Sequence, residues 1–371
     1  MEVRMKIVDT PCTIINWERM RENIIKMQAA ANNFGCALRP HIKTHKSVEI
    51  AKMQLAEGAV GITCAKTSEA KVFAEGGIND IFIAYPLIGE NKLMRALSIQ
   101  KQINRLIVAI DSVEGAWALS NFAAREGTTF EVRIEIDTGL KRTGVVHDKL
   151  CAIGAEIRGL PNLDVTGVYT FKSLLYKNEA TADVQAAGEE EGQLIMAAVD
   201  ALRNIGFNIC DISAGSTPTG LSVAKTGLVN EIRPGTYVFH DWSTWLQGVC
   251  EEDDIAAYVA ATVVSMPTPA HAVIDAGVKT LAADVRLHVP PLSLPGYAYI
   301  VGRDDLVLDR LNEEHGMIRA YNGGETGLRV GDILKLIPAH ICPVINLQDY
   351  FYAQEGENLR KVCVDARGRV W

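Results

Sequence analysis

The 371-residue sequence holds no apolar run long enough to span a bilayer, and Met1 to Asp9 lacks the apolar core of a signal peptide, so neither a membrane nor an export route is expected. It has no long basic tract and a formal net charge of -8, which leaves nucleic acid without a cationic surface to meet. No C-x-x-C pair occurs among the eight cysteines (Cys12, Cys36, Cys64, Cys151, Cys210, Cys250, Cys342 and Cys363). They are scattered, mostly in apolar runs, which fits a reduced cytoplasmic protein better than a disulfide framework. Cys64 and Cys210 read as small core residues. Internal repeats and low-complexity segments are missing too. What is present is 48% hydrophobic and 22% charged residues, enough for two domains with cores of their own.

The spacing of Trp17, Met20, Ile24, Met27, Ala31 and Phe34 predicts an amphipathic helix. After it, strand-like runs alternate with helical ones. The strands fall at Cys36–Leu38, Val60–Ala65, Asp80–Tyr85, Leu106–Asp111, Phe130–Asp137, Leu163–Thr170, Cys210–Ala214 and Glu231–Phe239. Several are nearly continuous apolar runs, as when both faces are buried. Eight such strands with intervening helices predict an α/β fold, a closed (β/α)8 TIM barrel over residues 17–240. An open doubly wound sheet is the rival, disfavoured because no G-x-G-x-x-G follows the first strand. From about Asp241 the pattern shifts to short strands punctuated by Pro267, Pro290, Pro291, Pro295 and Gly323-Gly324. A mostly β domain is expected over residues 241–371, joined by residues 1–16 with their strand Thr10–Ile15.

The stretch Arg39-Pro40-His41-Ile42-Lys43-Thr44-His45-Lys46 gathers three cations and two imidazoles where a strand gives way to a loop. A lysine among other cations sheds its proton more readily, and a neutral amine attacks a carbonyl. Alone, the stretch is a solvated basic loop or anion site. In a barrel, however, reactive groups stand at the C-terminal ends of strands. That rule would bring Lys43 to the same mouth as Asp137–Arg142, Tyr169, Ser213–Thr219 and Arg233–Tyr237. Ser213-Ala214-Gly215-Ser216-Thr217-Pro218-Thr219 reads as a phosphate cradle after the seventh strand. Near the end, Pro338-Ala339-His340-Ile341-Cys342-Pro343 reads as a strand with His340 and Cys342 on one face. Together they could hold a divalent metal, zinc first and manganese or magnesium as alternatives, in an open site of catalytic character. Of the other histidines, His41 and His45 flank Lys43, His147, His271 and His288 read as surface or structural, and His315 fits either the site or a turn.

The motif Arg39–Lys46 resembles the lysine motif of D-threonine aldolases and eukaryotic-type D-serine dehydratases, pyridoxal-phosphate enzymes of the alanine-racemase fold type. The likeness continues at Asp137–Gly144, Ser213–Thr219, Glu231–Tyr237, Val273–Gly277, Glu313–Gly316 and Pro338–Leu347, covering nearly the whole chain. It implies that Lys43 carries pyridoxal 5'-phosphate as a Schiff base, that Arg142 approaches the phenolic oxygen, and that Gly215, Ser216 and Thr217 hold the phosphate. By the same resemblance Tyr169 and Tyr237 line the cofactor pocket, and His340 and Cys342 bind the metal. Catalysis is expected from Lys43, His340 and Cys342. The implied activity is retro-aldol cleavage of a β-hydroxy-D-amino acid to glycine and an aldehyde, in a homodimer. D-serine or 3-hydroxyaspartate dehydration, giving a keto acid and ammonia, is the alternative. A racemase or a non-catalytic pyridoxal-phosphate homeostasis protein is less favoured. One segment departs from the family, where a histidine-glycine-rich stretch often follows the tyrosine. Here the chain reads Tyr169-Thr170-Phe171-Lys172-Ser173-Leu174-Leu175-Tyr176, with Lys172 or Tyr176 as candidate replacements.

Overall fold

The computed structural model describes residues 9–371, so most of Met1 to Asp9 lies outside the described range. The chain divides into two compact units. One takes Ile25–Lys43, Val48–Gly235 and Arg369–Trp371, and the other takes Met1–Ile24, Thr44–Ser47 and Thr236–Gly368.

The first unit is the parallel barrel. Its strands are Ala37–Leu38, Ile62–Cys64, Asp80–Pro86, Arg105–Ile110, Phe130–Asp137, Leu163–Tyr169, Asp211–Ala214 and Glu231–Ile232, joined in parallel around one sheet. The ring closes between its first two strands, where Thr63 donates to the Pro40 carbonyl at 2.8 Å and Ile42 to the Thr63 carbonyl at 3.0 Å. Helices follow the strands, as right-handed parallel crossovers require. The helix Val184–Asn204 is capped by Asp183, whose side chain accepts from the Ala186 amide. The Val113–Glu126 helix starts on the Ser112 hydroxyl and stops at Gly127 in the left-handed region, φ 64°.

The barrel interior holds charge at the end where strands begin. Glu231 accepts from Arg39 Nε at 2.8 Å and Arg133 at 2.5 Å. Asp211 accepts from Arg133 at 2.8 Å and Arg105 at 3.0 Å, and Arg105 also reaches Glu131. Buried charges persist only when paired. Here the pairs fill the ring below the apolar layer of Phe82, Ile107, Ala109 and Tyr169.

The second unit is built on a nine-stranded, mainly antiparallel sheet. The long strand Ala257–Thr268 lies at its centre, pairing with Cys12–Asn16, His271–Ile274 and Ile333–Pro338. Cys12–Asn16 also pairs in parallel with Tyr350–Glu355.

Several local expectations need correction. Phe34 lies just beyond the helix Trp17–Asn33 and is exposed, because the helix ends and Gly35 turns the chain at φ 62°. The strand expected over Glu231–Phe239 stops at Ile232, since Pro234 cannot donate to a ladder, and Thr236–Val238 forms a 3-10 turn. Cys210 is exposed rather than a core residue. The β-rich unit also carries the strands Leu306–Leu311, Tyr350–Glu355 and Asn358–Cys363. His340 and Cys342 do not share a strand face: the strand Ile333–Pro338 ends before them, His340 is the N-cap of the helix Ile341–Leu347, and Cys342 sits in its first turn.

Candidate active site

Within the barrel unit, Lys43 leaves the first strand through a turn shaped by its neighbours. His41 accepts the Lys43 amide on Nδ1 at 3.4 Å and bridges to Thr63. In the other unit, His45 likewise accepts the Ser47 amide at 3.1 Å. Both imidazoles thus brace backbone. The Lys43 ammonium nitrogen lies 5.5 Å from the centre of the Phe171 ring, and the Arg142 guanidinium carbon 4.8 Å from the same ring. Phe171 therefore brings two cations from the first and fifth strand ends against one aromatic face. Arg142 also lines a cavity of ≈ 630 Å³ with Thr138, Thr143, His147, Asn178 and Glu190.

Tyr169 ends the sixth strand and is buried, and its hydroxyl donates to Glu135 at 2.8 Å. Burial raises the Tyr169 pKa, and the neighbouring Glu135 raises it further, so the phenol keeps its proton. Burial also raises Glu135, against hydrogen bonds from Thr143 and Tyr169 that lower it. Arg233 stacks on Tyr169 at 5.2 Å and donates to the Ser213 hydroxyl at 2.5 Å and the Thr170 carbonyl at 2.6 Å. Lys172 is buried, with Nζ 2.5 Å from Glu190 and a second bond to the Leu175 carbonyl. Its ammonium is committed to the helix Val184–Asn204, which argues against a proton-carrier role, and Tyr176 lies in a short exposed hairpin.

The turn after the seventh strand needs its glycine. Gly215 has φ 80°, and a Cβ there would meet Gly220 Cα at 2.8 Å and the Val223 side chain at 2.9 Å. Ser216, Thr217 and Thr219 are buried in this turn, and Thr217 Oγ1 accepts the Gly235 amide at 3.2 Å. Glu191 reaches into it from Val184–Asn204, accepting from the Gly215 amide at 3.1 Å and the Thr219 hydroxyl at 2.8 Å.

In the second unit, His340 Nδ1 lies 2.6 Å from Asp284 Oδ2, and the imidazole and the Cys342 thiol hydrogen-bond to each other. Burial disfavours the imidazolium, but the neighbouring Cys342 and Asp284 outweigh it and raise His340 to about 11. Cys342 Sγ lies 3.2 Å from the Thr44 hydroxyl and 3.7 Å from that of Thr236. Asp241 is buried beside them, accepting the Ile341 amide at 3.1 Å. Among the described residues, no three or more His, Cys, Asp or Glu side chains form a metal-holding group. Tyr237 is buried in the 3-10 turn, while His315 and His288 are exposed.

The donor sets suit both groups that the family implies. An amine, a guanidinium and a hydroxyl-lined glycine turn match the aldehyde, phenolate and phosphate of pyridoxal phosphate. With Nδ1 bonded to Asp284, His340 keeps Nε2 for a metal beside a sulfur ligand.

The chain matches the family model "Alanine racemase, N-terminal domain" over residues 15–241 and "Putative serine dehydratase domain" over residues 256–354. It is 35% identical over 356 residues to the D-threo-3-hydroxyaspartate dehydratase of Delftia sp. (strain HT23), covering 92% of this chain and 93% of that protein. The chain belongs to the family of D-threonine aldolases and D-serine dehydratases. This aldolase–dehydratase family has the alanine-racemase fold and depends on pyridoxal phosphate. The chain is also 31% identical over 347 residues to the D-threonine aldolase of Arthrobacter sp, covering 92% of this chain and 88% of the aldolase. The solved Delftia dehydratase superposes with a TM-score of 0.88 at 32% identity, covering 98% of both chains. Two solved D-threo-3-hydroxyaspartate dehydratase mutants replace a histidine and a cysteine two positions apart by alanine, the cysteine mutant in a metal-free form. No described helix of the present chain is long and apolar enough to cross a membrane.

Sequence reasoning overlooked Glu135, Phe171, Glu191, Asp241 and Asp284. Phe171 stood inside the segment marked as departing from the family. The acids belong to no motif and are assembled only by the fold. Arg233 was inside a quoted motif but was given no role.

Proposed function

We propose that this chain is a lyase of β-hydroxy-D-amino acids that uses pyridoxal 5'-phosphate and one divalent metal. One observation carries the reading. The Lys43 side-chain nitrogen and the Arg142 guanidinium both lie against the Phe171 ring, 5.5 Å and 4.8 Å from its centre, so the candidate amine and the candidate partner of the phenolic oxygen meet at the strand ends of the barrel. The His340-x-Cys342 spacing equals that of the two residues replaced in the solved D-threo-3-hydroxyaspartate dehydratase mutants.

Bound pyridoxal phosphate supplies an aldehyde that captures amines and a ring that accepts electrons released at Cα, and the metal supplies Lewis acidity toward a hydroxyl oxygen. The residues do the rest. Lys43 holds the cofactor, gives way to the substrate amine, and then can take or return a proton at Cα. Arg142 offers positive charge to the phenolic oxygen. Gly215, Ser216 and Thr217 seat the phosphate, and Tyr169 and Tyr237 wall the pocket. His340 Nε2 and Cys342 Sγ hold the metal, zinc first by ligand type. Asp284 keeps the imidazole oriented.

In cleavage the β-hydroxyl would give its proton to solvent, the Cα–Cβ electrons would pass to Cα, and Lys43 would return a proton there, giving glycine and an aldehyde. Elimination is the second reading: Lys43 would take the Cα proton, a metal held by His340 and Cys342 would supply the Lewis acidity that makes the hydroxyl a leaving group, and water would hydrolyse the released enamine to keto acid and ammonia. It is favoured by the identity to the Delftia dehydratase. A cytoplasmic homodimer belongs to the same proposal, supported by the family resemblance and by eight scattered cysteines without a C-x-x-C pair. The test is a panel of D- and L-β-hydroxy amino acids scored for products. Glycine with aldehyde shows cleavage, and keto acid with ammonia shows elimination. Absence of both from a yellow, metal-loaded protein refutes the proposal.

A further inference from the structure

Glu191 is a buried carboxylate that the proposed chemistry does not use. It stands behind the glycine turn that the proposed function gives to the phosphate, and the inference rests on that reading. Oε1 accepts the Gly215 amide at 3.1 Å and the Lys172 amide at 3.4 Å, and Oε2 accepts the Thr219 hydroxyl at 2.8 Å. Thr219 Oγ1 in turn accepts the Ser216 amide at 3.1 Å and lies 3.0 Å from Ser216 Oγ. A hydroxyl has one proton to give and two lone pairs to fill. With Glu191 ionised, Thr219 spends its proton on the carboxylate. Ser216 must then direct its own proton to Thr219, and toward the turn it offers only lone pairs, which a phosphate repels. With Glu191 protonated, the two hydroxyl bonds reverse while the backbone amides go on donating. The acid donates to Thr219, Thr219 donates to Ser216, and the Ser216 proton is released for an anion. Both arrangements satisfy all the atoms in the chain at the same heavy-atom positions.

We propose that Glu191, Thr219 and Ser216 form a reversible hydrogen-bond relay, and that a phosphate ester enters the turn together with one proton, which settles on Glu191. The proton comes from solvent, no covalent bond changes, and the complex gains one positive charge beside the phosphate dianion. Of the charged groups around Glu191, Arg233 favours its ionised form through space, but none of them donates a side-chain hydrogen to it. On its own helix, Glu190 is taken by Lys172. From the segment after the sixth strand, Lys172 gives Glu191 only its backbone amide. From the eighth strand's end, Arg233 is directed at Ser213 and Thr170. Burial raises the Glu191 pKa above the usual carboxylate range, although hydrogen bonds from Thr219 and Gly215 oppose it.

The experiment is calorimetric titration of the apoprotein with pyridoxal 5'-phosphate at pH 8, where the phosphate is a dianion, its second pKa being about 6. Buffers of different ionisation enthalpy yield the number of protons exchanged. Wild type is compared with Glu191→Gln, whose amide mimics the protonated acid by accepting from Gly215 and donating to Thr219. The expected result is that wild type takes up one proton more than Glu191→Gln, while both bind the cofactor. Equal proton counts overturn the relay. Should Glu191→Gln not fold, Lys43→Ala protein, which cannot link covalently, is titrated from pH 7 to 9. About a tenfold weakening per pH unit supports the relay, and a flat profile overturns it. Failure of the functional reading looks different: wild type then binds pyridoxal phosphate no better than pyridoxal.

Discussion

Asp284 provides the sharpest single test of the metal assignment. Its Oδ2 lies 2.6 Å from His340 Nδ1, a short charge-assisted contact. That bond orients the ring so that Nε2 faces away from Asp284, where a metal would take the place of the hydrogen bond between the ring and Cys342. Asp284→Asn keeps the size and removes the charge, and Asp284→Ala removes the partner altogether. Outer carboxylates of this kind are worth about 10–100-fold in metal affinity, or roughly 1.4–2.7 kcal/mol. The lower end is expected for Asn, which can still accept the Nδ1 proton, and the upper end for Ala, which leaves the ring free to rotate. Asp241 on the other side holds the Ile341 amide and so anchors the helix start rather than the ring. The assay is competition for zinc against a chromogenic chelator, run on protein whose cofactor absorbance is recorded in parallel. Metal affinity should fall in the order wild type, Asn, Ala, while the cofactor band stays unchanged. Wild-type affinity in Asp284→Ala would refute the reasoning, because the ring would then not depend on its partner.

Lys43→Ala should abolish the visible cofactor band and the borohydride-trapped adduct, and a Lys43→Ala protein that still traps cofactor would move the linkage elsewhere. EDTA should stop turnover and leave the colour, and His340→Ala and Cys342→Ala should each reduce bound metal, measured by elemental analysis. Glu231→Gln leaves Arg39 and Arg133 facing each other inside the barrel and should cost about 3–5 kcal/mol in denaturant unfolding. Burial alone would raise the Glu231 pKa, but Arg133 and Arg39 overcome it and hold the folded value well below the ordinary carboxylate range. The stability it contributes is therefore present above its unfolded pKa of about 4.3 and lost as pH falls toward the folded value. Wild-type unfolding free energy should decline below that pH more steeply than the variant's.

The alternation of apolar runs and helical stretches made the barrel legible, because a strand buried on both faces shows itself as a continuous run. The Lys43 motif and the His340-x-Cys342 pair were legible as local groupings of residue types. The geometry of the pair was not. A strand ending in a helix cap looks, over five residues, like a strand that continues: His340 itself is extended, φ -144° and ψ 110°, and only the helix that starts at Ile341 distinguishes them. The Glu231–Ile232 strand was overextended for a similar reason: apolar and aromatic residues suit strand and 3-10 turn alike, and Pro234 decides against the ladder. Lys172 was a plausible surface or site residue by type, and its burial against Glu190 follows from a helix beginning eight residues after Tyr176.

From its residues alone, then, this chain determined its periodicities, its turns and the chemical types available at each strand end. These are set by neighbours within a few positions, through side-chain spacing and backbone dihedral preference. Tertiary structure alone decided that Glu191 stands behind Gly215, that Asp284 meets His340, and that Phe171 lies against both Lys43 and Arg142. Those partners come from segments tens of residues apart. Their meeting depends on strand order and helix packing, which no local pattern encodes.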